Sequence, residues 1–519
     1  GTPGSPGNPG LPRAPKYWLG LFFLLIFATI NPYHMISFTL ALVLLIVGYV
    51  VYGGFMTRVV GIDKKRPTPA ILLEDGVDFV PMPTWRIFLI QFLNIAGLWP
   101  IFGAIMGVVY GPAAFLWIVF GTIFAGAVHD FLSAMMSMRM GGISWPQMVG
   151  SQLGVKVQSF VVYLSAFMLL VVTAVMAFNP ADLLANITPD YLTSTFWVIV
   201  IFVYYVAAAM LPIDKLIGKI YPIFGFALLF MAAGILVMIY IHGAEMPEIW
   251  SEFYNHSADP EKTPIFPIMF VSIACGAISG FHATQSPLMA RCLQKENHGR
   301  LVFYGAMVAE GVVALIWAAA AITFCNGYSG VAQYIANDTP SVLVNNISLT
   351  WMGGFGGILA ILGVVAAPIT SGDTALRSVR LIVADALHIS QKTIMKRTLV
   401  TLPLVALVFV IMIVPYDVIW RYFSWLNQLL AVFTLWTLTI WLARIKKPYI
   451  ITMIPAMFMT AVCTTYILYA PEGLNLIANA LGFSISYPFS YCSGIALALL
   501  LAAWFLRLHR KDQRPGPAA

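Results

Sequence analysis

Long apolar segments follow one another along almost the whole sequence, and they restrict the fold more than any other feature. A helix needs about 20 apolar residues to cross a bilayer. Helices and closed barrels are the only structures that satisfy their backbone hydrogen bonds in lipid. Only 9% of the residues are charged, whereas a soluble protein has about 25%. The sequence therefore predicts an all-α polytopic membrane protein.

Fourteen candidate spans can be placed from these apolar segments. The first span is short and could instead be a re-entrant or interfacial segment. Residues 1–16, which precede it, are rich in Gly and Pro and are predicted to be a flexible tail or a cloning remnant. The predicted spans cover roughly residues 17–30, 35–56, 86–110, 112–138, 157–178, 194–211, 219–242, 265–288, 301–325, 352–373, 395–414, 418–442, 448–469 and 491–508.

The basic residues are distributed asymmetrically between the predicted loops. All of the 28 Lys and Arg residues except Lys262 and Arg421 lie on one side of this arrangement, whereas segment 243–264 on the other side is acidic. Loops rich in Lys and Arg stay in the cytoplasm. We therefore predict that both termini, including the tail 509–519, are cytoplasmic. The net charge of +7 then needs no nucleic-acid partner.

Two predicted spans are interrupted by Gly, Pro and hydrogen-bonding side chains. The first interruption covers residues 94–103 and the second covers residues 274–287. Gly and Pro weaken or break helices. A matched pair of broken helices in two halves of a chain indicates a transporter's binding site. The alternative is that Gly and Pro are simply common in membrane helices.

The two interrupted spans are the third and the eighth, so they enter the membrane from opposite sides. This predicts a LeuT-type (APC-like) 5+5 inverted repeat of helices with two broken helices, plus flanking helices. The repeats would cover residues 86–242 and 265–442. Two further spans would lie on each side, at residues 17–56 and 448–508.

The polar and small residues of the two interruptions are the candidate substrate-binding residues. A lone His in a membrane helix is more often a hydrogen-bonded core residue, but His282 has polar neighbours, which favours substrate contact or a proton relay. The amides could bind substrate or only bridge helices. The candidates are Gln91, Asn94, Gly97, Trp99, Ser279, Phe281, His282, Thr284 and Gln285.

Ionisable residues inside the spans are few, and each is a functional candidate because a buried charge is costly in lipid. Asp130 and Glu310 could carry a coupling proton, or could be paired structural carboxylates. Thr370, Ser371 and Asp373 end the apolar part of the tenth span and could coordinate a proton or a sodium ion. The alternative for Asp373 is a local pair with Arg377, four residues later.

Several motifs resemble the carbon starvation protein A family of bacterial inner-membrane transporters, and the resemblance extends from about residue 35 to about residue 445. It implies uptake of short peptides or of pyruvate, the latter with protons. One departure is AGLWPIFGA at residues 96–104, where the family pattern AGxGPxxGP is expected. Trp99 adds bulk there. The motifs lie at residues 66–70, 75–81, 91–103, 125–131, 274–282 and 427–431.

Together, the sequence features and the family resemblance predict a secondary active transporter of the bacterial inner membrane with a nutrient-starvation role. It would import short peptides or a small carboxylate such as pyruvate, coupled to protons or sodium. No cofactor or metal site is predicted, because the five Cys residues are scattered. A passive channel is the alternative. A membrane-embedded enzyme is less favoured, because hydrolase and metalloprotease motifs are missing from the sequence. The oligomeric state is open.

Overall fold

The computed structural model describes residues 35–97, 99–211, 217–242, 246–361, 365–414 and 416–512. The described residues form helices and connecting loops, and the one β-type contact among them is an isolated bridge between Met82 and Leu293. The prediction of an all-α polytopic protein is confirmed. The predicted tail 1–16, the predicted span 17–30 and the end of the C-terminal tail lie outside the described residues.

The first half of the chain contains ten α-helices among the described residues. Between α5 and α6 the backbone is π-helical from Trp117 to Gly126, so these three pieces form one span. The helices are α1 (Ile36–Val60), α2 (Pro69–Leu72), α3 (Thr84–Ile95), α4 (Trp99–Val108), α5 (Ala113–Leu116), α6 (Ala127–Arg139), α7 (Trp145–Leu153), α8 (Val155–Ile187), α9 (Ser194–Met210) and α10 (Ile217–Ile241).

The second half continues the helical arrangement. Short π-helical segments, Ile265–Met269 and Arg300–Tyr304, precede α11 and α13, and a 3₁₀ turn covers Glu296–His298. The helices are α11 (Phe270–Ser272), α12 (His282–Ala290), α13 (Gly305–Phe324), α14 (Tyr328–Asn337), α15 (Pro340–Ile361), α16 (Ala367–Ala386), α17 (Ile394–Ile411), α18 (Tyr416–Arg444), α19 (Ile450–Tyr469), α20 (Leu474–Ala480) and α21 (Tyr487–Asp512).

Local sequence signals account for several helix ends. Gly61 ends α1 in a left-handed conformation, with φ of 67°, and its N–H bonds to the carbonyls of Thr57 and Arg58. Ser144 and Gln147 form a capping box at the start of α7. These ends lie at the same side of the molecule, where the basic loops begin.

Nine helices of the described residues are long and apolar enough to cross a membrane, and the bent pair α3 and α4 would make a tenth. The other predicted spans differ for identifiable reasons. Helix α9 is apolar but only 17 residues long, the span near residues 265–288 is broken, and the span predicted at 352–373 departs from helical backbone at Gly353.

The span predicted at residues 352–373 needs a correction. Helix α15 loses helical backbone at Gly353 (φ 63°), and α16 continues to Ala386, thirteen residues beyond the predicted end. Arg377 and Arg380 ended the apolar run in the sequence, yet both are fully buried inside this helix. Residues 370–373 therefore lie within α16, not at its end.

The loops that carry the basic residues meet at one end of the bundle, which we call the basic face. It consists of loops 61–83, 140–144, 291–299, 387–393 and 445–449. Arg139 donates to the carbonyls of Val60 and Gly61 and to Glu296. Arg291 donates to Gly142.

The opposite end of the bundle contains the acidic segment around residue 250. The Glu248 carboxylate accepts the backbone N–H groups of Ile36 and Ser37 at 2.7 and 2.8 Å, which caps the N-terminus of α1. Tyr469 at the end of α19 donates to Glu261 and Lys262. The alternation of basic and acidic loops predicted from the sequence thus corresponds to two ends of the fold.

Burial separates the helices into an inner and an outer set. The span Glu296–Phe324 is 83% buried, whereas the spans that contain α1 and α21 are 39% and 28% buried. The outer helices remain apolar on their exposed sides, as expected of helices that face lipid. The inner helices surround the two interruptions.

Candidate functional site

The second interruption is a helix break whose freed backbone groups are paired by polar side chains. Helical backbone stops at Ser272 and resumes at His282. The N–H of Gly276 donates to Glu310 at 2.9 Å, and its carbonyl accepts from Thr122 at 2.7 Å. This pairing lets an irregular backbone persist inside the membrane.

Gly276 is required at this break for two reasons. Its φ of 92° lies in the region that side chains disfavour. A Cβ on this residue would also come within 2.8 Å of the Ala314 Cβ. The sequence thus folds into a break here because one residue meets both demands.

Asn427 on α18 holds the remainder of the break. Its side-chain oxygen accepts the Phe281 N–H at 2.7 Å and the Ser279 hydroxyl at 3.1 Å. Its backbone carbonyl accepts the Gly280 N–H at 3.1 Å. A single residue of α18 therefore positions three consecutive polar groups.

The first interruption separates α3 from α4, whose axes differ by 44°. Gly97 allows α16 to approach closely, since a Cβ would lie 2.9 Å from the Ser371 hydroxyl. Ser371 donates to the Asn94 carbonyl at 3.2 Å. Thr374 donates to the Asn94 side-chain oxygen at 3.5 Å.

The two breaks are neighbours in space. A Cβ on Gly276 would lie 3.8 Å from the Pro100 Cα, and a Cβ on Gly103 would lie 3.1 Å from the Ser272 carbonyl oxygen. Helices α4 and α11 therefore approach each other at small residues. The polar groups of both interruptions surround one region of the bundle.

Four titratable side chains form what we call the imidazole–carboxylate chain: His129, Asp130, His282 and Glu310. All four are fully buried. Asp130 lies 2.8 Å from Nδ1 of His129 and 3.0 Å from Nδ1 of His282. Nε2 of His282 faces Oε2 of Glu310 at 3.6 Å. The chain thus links α6, α12 and α13 to the Gly276 amide.

Cys275 lies beside this chain, with its Sγ 3.8 Å from Nε2 of His282. The ligand atoms of Cys275, His282 and Glu310 lie within 4.8 Å of one another, a spacing a metal ion could use. A structural zinc site normally has four protein ligands, and one Glu310 oxygen already accepts the Gly276 N–H. We therefore interpret these contacts as part of a hydrogen-bonded chain.

Buried amides with unused hydrogen-bonding atoms lie near the breaks. Gln91 donates to Ser286 at 3.2 Å, and Gln285 donates to Thr284 at 3.1 Å and to Ser378 at 3.3 Å. The side-chain oxygens of both Gln residues have no hydrogen-bond partner among the described residues, and the same holds for the Asn94 amide nitrogen. Buried polar atoms of this kind suit a polar ligand.

The structure places other predicted site residues in different surroundings. Trp99 packs on Trp420 and Phe423, with ring centroids 4.6 and 4.4 Å apart. Phe281 is 1% exposed in the same apolar core. The Thr370 hydroxyl donates to a carbonyl of its own helix.

Asp373 is separate from the imidazole–carboxylate chain. It is 1% exposed and lies beside the phenols of Tyr204 and Tyr221. No cation of the described residues lies within ion-pair distance of it. The suggested local pair with Arg377 is not formed, because Arg377 instead contacts Asp78 at 3.2 Å.

Sequence reasoning assigned no role to three residues that shape the site: Asn427, Thr122 and Ser378. Asn427 does belong to the family motif at residues 427–431, and that motif was the signal that could have found it. Thr122 and Ser378 gave no signal, because hydroxyl side chains in membrane helices commonly bond to their own backbone.

The family model of the carbon starvation protein CstA matches residues 33–196 and 185–335, so the chain belongs to the CstA family. An uncharacterized membrane protein of Haemophilus influenzae is 40% identical over 338 residues, which are 56% of this chain and 91% of that protein.

Several relatives carry functional names, and two of them represent the two activities. The peptide transporter CstA of Campylobacter jejuni is 27% identical over 59% of this chain and 51% of its own length. The pyruvate/proton symporter BtsT of Escherichia coli is 26% identical over 57% of this chain and 49% of its own length. The chain thus matches about half the length of these two relatives.

A solved structure, the manganese transporter of Eremococcus coleocola, aligns with a TM-score of 0.49 and 13% identity over 85% of this chain and 99% of that one. Family membership and the long apolar helices identify the chain as a multi-pass membrane protein of a family whose functionally named members are transporters, not enzymes.

Proposed function

We propose that the chain is a secondary active transporter that imports a small carboxylate, such as pyruvate, or short peptides together with protons. The observation that carries the proposal is the imidazole–carboxylate chain, which ends on the amide of a broken helix. Two relatives are named a peptide transporter and a pyruvate/proton symporter. Both substrate classes offer a carboxylate group.

The arrangement of helices supports a LeuT-type inverted repeat in which α3–α10 and α11–α18 are the two halves. Each half begins with a helix broken by Gly and Pro, and the breaks contact each other. Transporters of this kind bind their substrates between such breaks. Asn94, Gln91 and Gln285 supply the unused polar atoms there, and we propose them as substrate contacts.

The basic face is proposed to lie in the cytoplasm of a bacterial inner membrane. The positive-inside rule supports this orientation, and the loops that carry Lys and Arg assemble at that end of the bundle. Both termini would then be cytoplasmic. Import would move substrate from the end that contains Glu248 toward the basic face.

His282 is the central element of the proposed proton path. An imidazole can accept a proton on one nitrogen and release one from the other. His282 lies between Asp130 on one side and Glu310 on the other, so a proton taken up by one carboxylate can reach the second. Glu310 also accepts the Gly276 N–H, which connects its protonation to the backbone of the break.

Sodium coupling through Thr370, Ser371 and Asp373 is the second candidate, and one observation favours it. Asp373 is a buried carboxylate that has no cationic partner among the described residues. Hydroxyl, carbonyl and carboxylate oxygens suit a hard cation. The two couplings are therefore assigned to different residues and can be separated by mutation.

The test is uptake of radiolabelled pyruvate, with dipeptides and tripeptides as competitors, into proteoliposomes under imposed proton or sodium gradients. Glu310→Gln retains an acceptor for the Gly276 N–H but cannot release a proton. We expect this variant to lose proton-driven accumulation and to retain substrate counterflow. Glu74→Gln, at an exposed acid of the basic face, is the matched control.

Asp373→Asn decides between the two couplings. If sodium alone drives uptake, and Asp373→Asn abolishes it while Glu310→Gln does not, then the proton path is refuted. Gradient-independent, non-saturable flux in the wild type would indicate a channel and would refute active transport.

A further inference from the structure

The basic face contains more buried positive charge than its acidic residues neutralise. Arg291, Arg377, Arg380 and Arg397 are each at most 8% exposed. The acidic groups within electrostatic range are Asp78, which is 4% exposed, and Asp385. Arginine remains protonated in proteins. Four positive charges thus face two carboxylates.

Arg377 and Arg380 have incomplete hydrogen bonding, whereas all three side-chain nitrogens of Arg397 donate to backbone carbonyls. Arg377 uses one nitrogen for Asp78 and another for the carbonyls of Ala208 and Leu211, both at 2.7 Å. Its Nε, and both Nε and Nη2 of Arg380, have no hydrogen-bond partner among the described residues. Leaving a buried charged donor unpaired is costly. An additional anion would reduce that cost.

Two neighbouring cavities lie beside this cluster. An outer cavity of about 670 Å³ is lined by Ser144, Asp385 and Ile382. Ser144 and Ile382 also line an inner pocket of about 20 Å³, whose wall includes Arg291, Thr284 and Ser378. The inner pocket has room for a group about the size of one water. The outer cavity can hold the rest of a small molecule.

Arg291 is suited to be the direct contact. Its Nε donates to the Gly142 carbonyl at 2.8 Å, and its guanidinium lies over the Phe79 ring, 5.1 Å from the ring centroid. These two contacts hold the side chain in place. Neither terminal nitrogen has a hydrogen-bond partner among the described residues. A held guanidinium with two free nitrogens matches a carboxylate.

We propose that the carboxylate group of a small organic anion binds at the junction of the two cavities, with one of its oxygens in the inner pocket. Arg291 and Ser378 are the proposed contacts, and Arg377 and Arg380 add positive potential. The site borders the second interruption, because Thr284 and Pro287 of that segment line the pocket. If the proposed function holds, this pocket is a second substrate-binding site on the transport path, near its cytoplasmic end. Ser378 also accepts from Gln285, so the pocket and the breaks share a hydrogen-bonded contact.

Substitution of Asp385 tests the proposal, because its expected effect on anion binding is opposite to that of a folding defect. This carboxylate lines the outer cavity and faces Arg291 and Arg380. It competes with any bound anion for their charge. Removing it should therefore tighten anion binding, whereas a general structural defect would weaken binding.

The experiment measures equilibrium binding of radiolabelled pyruvate to the purified full chain in detergent. We expect Arg291→Gln to weaken binding at this site about 10-fold or more, as loss of a charge-assisted contact implies. Asp385→Asn should tighten it about 3- to 10-fold. Arg444→Gln, at a basic-face arginine that contacts Ser151 and Gln152, should bind as the wild type does.

A second variant, Asn94→Leu, separates this site from the proposed central one. Pyruvate binding that persists in Asn94→Leu but is lost in Asn94→Leu/Arg291→Gln supports the pocket, whether or not proton-driven transport is ever observed. Unchanged binding in both Arg291→Gln and Asp385→Asn would overturn the proposal. If chloride competes with pyruvate as strongly as acetate does, the proposal is also overturned, because the site would then not select carboxylates over other anions.

Discussion

Removal of the Asp78 carboxylate should destabilise the fold more than any other single change on the basic face. Asp78 is buried in loop 61–83 and lies 3.2 Å from Arg377 and 3.6 Å from Arg380. The two arginines belong to α16, so this contact fastens the loop to a membrane helix. Asp78→Ala would leave two buried guanidinium groups without this shared carboxylate.

The size of the expected loss in unfolding free energy follows from the burial of Asp78, Arg377 and Arg380. Breaking a buried ion pair by removing one partner costs about 3–5 kcal/mol, because an uncompensated charge stays inside the protein. Arg377 retains two backbone carbonyls at the C-terminal end of α9. Arg380 retains only the Gln391 side chain, at 2.5 Å. Most of the cost should therefore arise at Arg380.

The assay is reversible unfolding of the purified protein in mixed micelles with increasing dodecyl sulfate. Asp78→Ala should lose about 3–5 kcal/mol of unfolding free energy. Glu74→Ala, at an exposed acid of the same loop, should stay within about 0.5 kcal/mol of the wild type. Adding Arg380→Met to Asp78→Ala should recover part of the loss, because the uncompensated charge is removed.

Lowering the pH should also destabilise the folded protein, because it protonates the Asp78 carboxylate. Burial by itself would raise the pKa of the Asp78 carboxyl, but the charges of Arg380, Arg377 and Arg291 outweigh burial and lower it. A lowered pKa in the folded state adds stability above the unfolded value of about 3.9, and this stability is lost as the pH falls. Asp78→Asn should show less acid destabilisation than the wild type. If Asp78→Ala is as stable as Glu74→Ala, the ion-pair reasoning is refuted.

Three further changes test the helix breaks. Gly276→Ala should cost about 1–3 kcal/mol, measured by the same unfolding assay, because its Cβ would meet Ala314. Asn427→Ala should cost about 1–3 kcal/mol by leaving the Phe281 N–H unpaired, whereas Asn427→Asp should retain most of the stability. Trp99→Ala should lower folded yield and stability by about 3–5 kcal/mol. The KM of its surviving folded fraction should match the wild type, and a large rise in KM would instead support substrate contact.

Hydropathy and charge could be interpreted from the sequence alone because both act on single residues. An apolar segment partitions into lipid whatever it packs against, and a basic loop stays on one side whatever it contacts. Gly276 and Gly97 were detectable for the same reason, since Gly inside an apolar segment weakens a helix locally. These features needed no knowledge of the tertiary structure.

Pairings between distant residues were not predictable from the sequence alone. Arg377 and Arg380 ended the apolar run and shortened the predicted tenth span, yet Asp78 pairs with them from 299 and 302 positions away. Asp130 and His282 were each candidates, but nothing in the sequence indicated that they would meet across 152 positions. Trp99 looked like a site residue because its aromatic partners are distant in sequence.

Two helices connect the breaks to the basic face, and this connection bears on how transport would proceed. Helix α16 carries Ser371 at the first break and Arg377 at the Asp78 contact, about 9 Å apart along its axis at 1.5 Å per residue. Helix α12 begins with His282 at the second break, and Arg291 follows its last residue about 13 Å away. Each helix therefore reaches from a break to the basic face. A shift of either helix that alters the contacts at the breaks must also alter the arginine contacts at the basic face.

For this reason we expect Asp78→Asn, which loosens the basic face, to change the affinity for substrate at the breaks as well. Unchanged affinity in that variant would show that the two ends move independently.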